Sequence, residues 1–134
     1  MFHLEGEMED LERDSYFLRK LYERIQDYKI ISKNILYECV DSRISDEEKK
    51  RILKRKKTID KEIDRLYFYY SKYNEFIVEI RSLMEQYMSC KSSEEKNSIL
   101  ELISRYKKEK QKIYRKFSEV LGLVSSPDIM KKVL

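Results

Sequence analysis

The chain has no alanine and no tryptophan, and its 134 residues include two glycines, one proline, two cysteines and one histidine. Scarce glycine and proline leave few helix breakers, so long uninterrupted helices are allowed. The single histidine, His3, lies in a terminus expected to fray. A Ser–His or Cys–His pair would therefore rest on that one residue. One histidine and two cysteines also fall short of a His/Cys metal site. There is no glycine-rich phosphate loop. The acidic groups Asp46-Glu47-Glu48 and Glu94-Glu95 read as favourable charges at helix N-termini rather than cation ligands. These shortages argue against an enzyme, and no cofactor or metal is expected.

Long apolar runs are missing too. No stretch approaches the ~20 residues needed to cross a bilayer as a helix. Residues 1–14 are acidic and lack an apolar core, unlike a signal peptide or presequence. The expectation is a soluble, intracellular protein in the cytoplasm, or in the nucleus if the source is eukaryotic. Cys39 and Cys90 then read as reduced thiols, near the ends of different helices and too far apart to bridge. No stretch alternates polar and apolar residues at strand spacing.

What the chain has in abundance is charge, 40 % of residues, beside 41 % apolar residues. That is too apolar for general disorder and suits thin bundles in which each helix buries one stripe. Abundant lysine, isoleucine and tyrosine without alanine suggest an AT-rich coding bias, so part of the Tyr and Lys content reflects composition. The net charge of +4 is unevenly spread. Residues 1–42 carry 6 basic against 10 acidic side chains, residues 43–91 carry 13 against 9, and residues 92–134 carry 10 against 6.

Helical periodicity divides the chain into three long stretches. Helix 1 is placed at about 8–40, with the stripe Leu11, Leu18, Leu21, Ile25, Tyr28 and Ile35, widened by Phe17, Tyr22, Ile31 and Leu36. Asp41-Ser42 supplies turn chemistry. Helix 2, about 46–89, opens with a capping box of Ser45 and Glu48. Its stripe runs Ile52, Ile59, Ile63, Leu66, Tyr70, Tyr73, Ile77, Ile80, Met84, Tyr87. Helix 3, about 93–121, repeats the box with Ser92 and Glu95. Its stripe is Ile99, Ile103, Tyr106, Lys110, Ile113, Phe117, Val120, Val124, with Gly122 as a left-handed stop. Lys110 is the one polar position; its stem should be buried and its amine should reach water or an acidic neighbour. A short helix at about 127–134 follows Pro127, with Ile129, Met130 and Val133 expected to return toward Ile52 and Leu53.

Short joints make neighbouring helices antiparallel. The fold class is therefore all-α: one domain, 1–134, forming an elongated antiparallel three-helix bundle (up-down-up) with a short C-terminal helix. Helix 2, roughly 60 Å long at 1.5 Å per residue, should overhang helix 3. A homodimer is open if the stripes are wider than three helices can cover.

Three features carry functional expectations. In Lys49, Lys50, Arg51, Ile52, Leu53, Lys54, Arg55, Lys56 and Lys57, seven of nine residues are basic. On a helix those charges point all round, beyond the shielding of one partner helix. They suit an anionic partner: a nucleic acid (RNA or DNA) or ribonucleoprotein, an acidic protein surface or anionic lipid. In Leu66–Tyr73, five of eight residues are aromatic. Tyr70 and Tyr73 fit the core stripe, Tyr69 flanks it, Phe68 points nearly opposite, and Tyr67 lies to the other side with Val78. Exposed aromatics suit a protein contact. In 105–116, basic residues alternate with Tyr106 and Tyr114, a pattern serving either cation–π packing or nucleic acid.

The leading expectation is a non-enzymatic helical adaptor, inhibitor or complex subunit with a protein partner. Tyr67, Phe68 and Tyr69 would anchor it, with Lys107, Lys108, Lys112 and Arg115 as a charged rim. The alternative is nucleic-acid or ribonucleoprotein binding through 49–57 and 105–116. In outline, three long antiparallel helices resemble a BAG co-chaperone domain, and Arg105 and Gln111 resemble that family's basic and glutamine partner contacts. Their spacing departs from the family's, and helix 2 is longer and more basic. Spectrin-like repeats and the N-terminal domains of syntaxins are similar in the same outline.

Overall fold

The computed structural model describes residues 4–41 and 43–123, with side chains from Asp10 onward. Nearly all of them lie in three helices, α1 (Leu4–Cys39), α2 (Asp46–Ser89) and α3 (Ser93–Ser118), and there is no strand among the described residues. The fold is all-α. The bounds of α2 match the sequence reading, and its start is chemically marked. Ser45 Oγ accepts from the Glu48 amide at 3.2 Å, satisfying one of the free amides of the first turn. The helix α1 begins four residues before the expected start, since an apolar stripe reports where burial begins and not where backbone bonding begins. The helix α3 ends three residues early, in a turn where Leu121 N donates to Phe117 O (2.9 Å) and Gly122 N to Glu119 O (3.1 Å). Gly122 takes φ +70°, the left-handed conformation expected of a glycine stop. The expected tail helix at 127–134, and the return of Ile129, Met130 and Val133, lie outside the described residues.

The chain resolves into two compact units. The first comprises residues up to Leu18 and those from Ser71 onward. Here the start of α1, the second half of α2 and all of α3 form a three-helix bundle. Contacts fix its directions. Asp10 meets Lys107 and Phe17 meets Tyr114, so α1 and α3 rise together. Phe76 meets Tyr106 while Tyr73 lies beside Lys110, so α2 runs against α3. Phe17 and Tyr73, 0 % and 1 % exposed, stack with centroids 4.4 Å apart at the centre. Ile80, Leu83 and Ile103 continue the core, with Met84, Ile99, Leu102 and Tyr106 packed against them.

The second unit, Arg19–Tyr70, is an antiparallel hairpin of α1 and α2. Leu21, Ile25 and Ile35 are buried on α1, and Ile63 and Leu66 on α2. The register is set by polar pairs. Ser32 Oγ donates to Asp60 Oδ1 at 2.5 Å, and Arg55 reaches Glu38 at 3.6 Å. Tyr22 and Tyr70 meet nearer the other end, with ring centroids 6.3 Å apart.

The stripe of α1 is buried as expected at Leu21, Ile25 and Ile35 and departs from expectation elsewhere. Its buried positions are Asp14, Phe17, Leu21, Ile25, Ser32 and Ile35. Leu11, Ile31 and Leu36, read from their spacing as core or its border, are 44 %, 41 % and 50 % exposed. The cause is two buried polar residues, Asp14 and Ser32. Each is hydrogen-bonded, so it occupies a core position that apolarity alone assigns elsewhere. Val120, placed on the stripe of helix 3, is likewise 53 % exposed, because it follows the end of α3.

Candidate functional site

In the three-helix unit the polar centre is a buried network with one residue from each helix. Lys110 Nζ donates to Asp14 Oδ2 at 2.7 Å, and Tyr73 Oη donates to Asp14 Oδ1 at 2.5 Å. The Lys110 and Asp14 side chains are 7 % and 6 % exposed. Burial, then the neighbouring Asp14 carboxylate, pushes the Tyr73 hydroxyl well above the ordinary tyrosine range, so it stays a donor. Lys110 therefore meets the expectation of a buried stem with its amine on an acidic neighbour. A cleft of about 210 Å³ opens beside the network, lined by Asp10, Leu11, Ile77, Arg81, Met84 and Lys107. That is smaller than the ~300–1,000 Å³ of ordinary small-molecule sites. Among the described residues no group of three His, Cys, Asp or Glu side chains could hold a metal. No helix among them is long and apolar enough to cross a membrane.

Cys90, at the joint before α3, donates its thiol proton to Glu95 Oε2 at 3.0 Å. That bond, and after it burial, raises the thiol above its ordinary range. The Ser92 box is thus half-closed: Ser92 Oγ accepts from the Glu95 amide at 3.5 Å, while the Glu95 carboxylate serves Cys90. Cys39 is also a free thiol.

The hairpin unit presents the aromatic residues singled out in the sequence. Phe68 is 57 % exposed and meets Tyr69 edge-on, centroids 5.3 Å apart at 82°. Tyr69 is half-buried, with the Arg65 guanidinium 5.7 Å from its ring centre. Tyr67 is half-buried, and its hydroxyl accepts from Lys29 Nζ at 2.5 Å. Of the three expected anchors, Phe68 is the one most open to a partner. Sequence reasoning missed other large exposed apolar side chains on the same hairpin unit. Ile30, Tyr37, Val40 and Leu53 are 59 %, 63 %, 73 % and 48 % exposed. They follow from a two-helix element, in which each helix can bury one stripe only.

The basic stretch 49–57 is not uniformly open, as its all-round charge suggested. Lys56 is part-buried and donates to Asp60 at 2.7 Å, which holds the Asp60 carboxyl below the usual range with help from Ser32. Arg55 is turned toward Glu38. Lys49 is half-buried, whereas Lys50, Arg51, Lys54 and Lys57 are exposed. The all-round charge is reduced because Asp60, one turn on in α2, takes Lys56, and Glu38 of α1 takes Arg55.

The expected rim on α3 belongs to the three-helix unit, and Tyr67, Phe68 and Tyr69 belong to the hairpin. Lys107 reaches Asp10 at 3.8 Å and Lys112 reaches Glu109 at 3.0 Å. Lys108, Lys112 and Arg115 are exposed, within one helical arc of α3. No protein-family model, curated protein or solved structure matches the chain.

Proposed function

We propose that this protein is a non-enzymatic interaction module, an adaptor, inhibitor or complex subunit, which takes a protein partner on its helical hairpin. The observation that supports this is the hairpin's surface. Eight large apolar side chains between Arg19 and Tyr70 are more than two-fifths exposed: Tyr22, Ile30, Ile31, Leu36, Tyr37, Val40, Leu53 and Phe68. Single exposed apolar residues are normal; eight of them on one two-helix element are what supports association. Phe68 is the anchor. A rigid aromatic ring gives large contact area at small entropic cost, the property that makes such residues dominate binding energy. The partner would carry an apolar surface, since the exposed groups are mostly aliphatic or aromatic.

The reading rests on the hairpin and does not need the α3 basic residues. Its test is Phe68→Ala: partner capture should fall while the fold keeps its melting temperature. A large loss of stability would make Phe68 a structural residue and remove the anchor.

A further inference from the structure

We propose a second, independent surface: a single-file ridge of lysines on α2 that binds the phosphodiester backbone of a nucleic acid. The ridge is Lys50, Lys54, Lys57 and Lys61. At 100° and ~1.5 Å per residue these positions fall within an arc of about 60° and extend about 16 Å along the helix. All four are exposed. None of them has an ion pair among the described residues.

The neighbouring cations differ. Lys56 and Arg55 are turned to Asp60 and Glu38, and Arg65 to Glu62 at 2.7 Å. Asp60, Glu38 and Glu62 are thereby occupied away from the ridge, residues 49–59 contain no acidic side chain, and Asp46, Glu47 and Asp64 bound the ridge at its two ends. In 105–116, Lys107, Lys110 and Lys112 are each paired with an aspartate or glutamate, while Arg105, Lys108 and Arg115 are exposed.

The kind of partner follows from what the arc contains. Between Lys50 and Lys61 it holds lysines only, and Leu53, 48 % exposed, is a large apolar side chain on its border. A protein interface needs an apolar centre, with charge at its margin. A membrane-surface helix needs an apolar face to enter the lipid. A row of point charges with a single apolar neighbour matches a linear array of negative charge, and phosphate neutralisation by lysine is the main source of affinity for nucleic acid. This inference goes beyond the hairpin's protein-binding role and does not depend on it.

The experiment titrates the full-length protein into a labelled 20-nucleotide single-stranded RNA and a 20-base-pair DNA duplex across a salt series. Vesicles with and without phosphatidylserine form a parallel arm. With four phosphates neutralised, log K should fall against log salt with a slope of about −3 for the single strand or about −4 for the duplex. Lys50→Gln, Lys54→Gln, Lys57→Gln and Lys61→Gln combined should cost at least about tenfold in low-salt affinity and flatten that slope. These changes remove like-charge repulsion, and circular dichroism checks that the variant is folded. Lys108→Gln, Lys112→Gln and Arg115→Gln combined should leave binding within about twofold. Three results overturn the proposal: no binding to either nucleic acid at low salt, equal binding by the ridge variant, or binding to anionic vesicles without binding to nucleic acid. Loss of partner capture by Phe68→Ala would leave this result untouched.

Discussion

Asp14 is a carboxylate buried among three helices, and its two oxygens are held by different elements, Lys110 of α3 and Tyr73 of α2. Withdrawing such a pair from water costs several kcal/mol, which the mutual attraction only partly returns. Removing one partner should be worse, because the other charge stays buried alone. Lys110→Met should destabilise by about 3–5 kcal/mol in urea unfolding. Adding Asp14→Leu and Tyr73→Phe should restore most of that loss; equal instability of the single and triple variants would show that no coupling exists. The Tyr73 hydroxyl gives a second handle. Its folded pKa is raised, so its contribution is present below the unfolded tyrosine value of about 10 and declines as pH rises beyond it. Melting temperature should therefore drop between about pH 9.5 and 11, and less steeply in Tyr73→Phe. Parallel slopes would contradict this assignment. Lys110 was legible in the sequence as the polar break in an apolar stripe. Asp14 was not, since a lone acid in an acidic segment gives no sign that a helix almost a hundred residues later supplies its counter-charge.

At the scale of elements, both chain units obey one rule: a helix buries as many stripes as it has neighbours. In the three-helix unit this closes a core around Phe17 and Tyr73. In the hairpin it leaves Ile31 and Leu36 exposed beside the buried Ile25 and Ile35. Ile25→Ala should then cost about 2–5 kcal/mol, whereas Leu36→Ala should stay within about 0.5 kcal/mol. Comparable losses in chemical unfolding would mean that the two faces are equally packed. The start of α2 was readable because Ser45, Asp46 and Glu48 mark it chemically. The phase of α1 was readable at Leu21, Ile25 and Ile35, but not at Asp14 and Ser32, which occupy buried positions through hydrogen bonds that periodicity cannot register. The basic stretch 49–57 was visible from composition, but dividing it into paired Arg55 and Lys56 and the open ridge required Glu38 and Asp60 in place.

Taken as a whole molecule, the chain uses charge for two purposes. Acidic α1 and basic α2 and α3 supply internal pairs such as Arg55–Glu38, Lys107–Asp10 and Lys110–Asp14. The two proposals rest on the exposed lysines of α2 and on the exposed apolar groups of the hairpin. The protein-binding proposal depends on Phe68 being a contact and not a support, and one comparison separates the two. The intact protein and its Phe68→Ala variant are used to capture partners from the cells that make the protein, and both are melted. The account predicts that a discrete partner protein held by the parent falls at least about tenfold with the variant, while the melting temperature moves by less than about 2 °C. Undiminished capture, or a melting temperature well below the parent's, would contradict it.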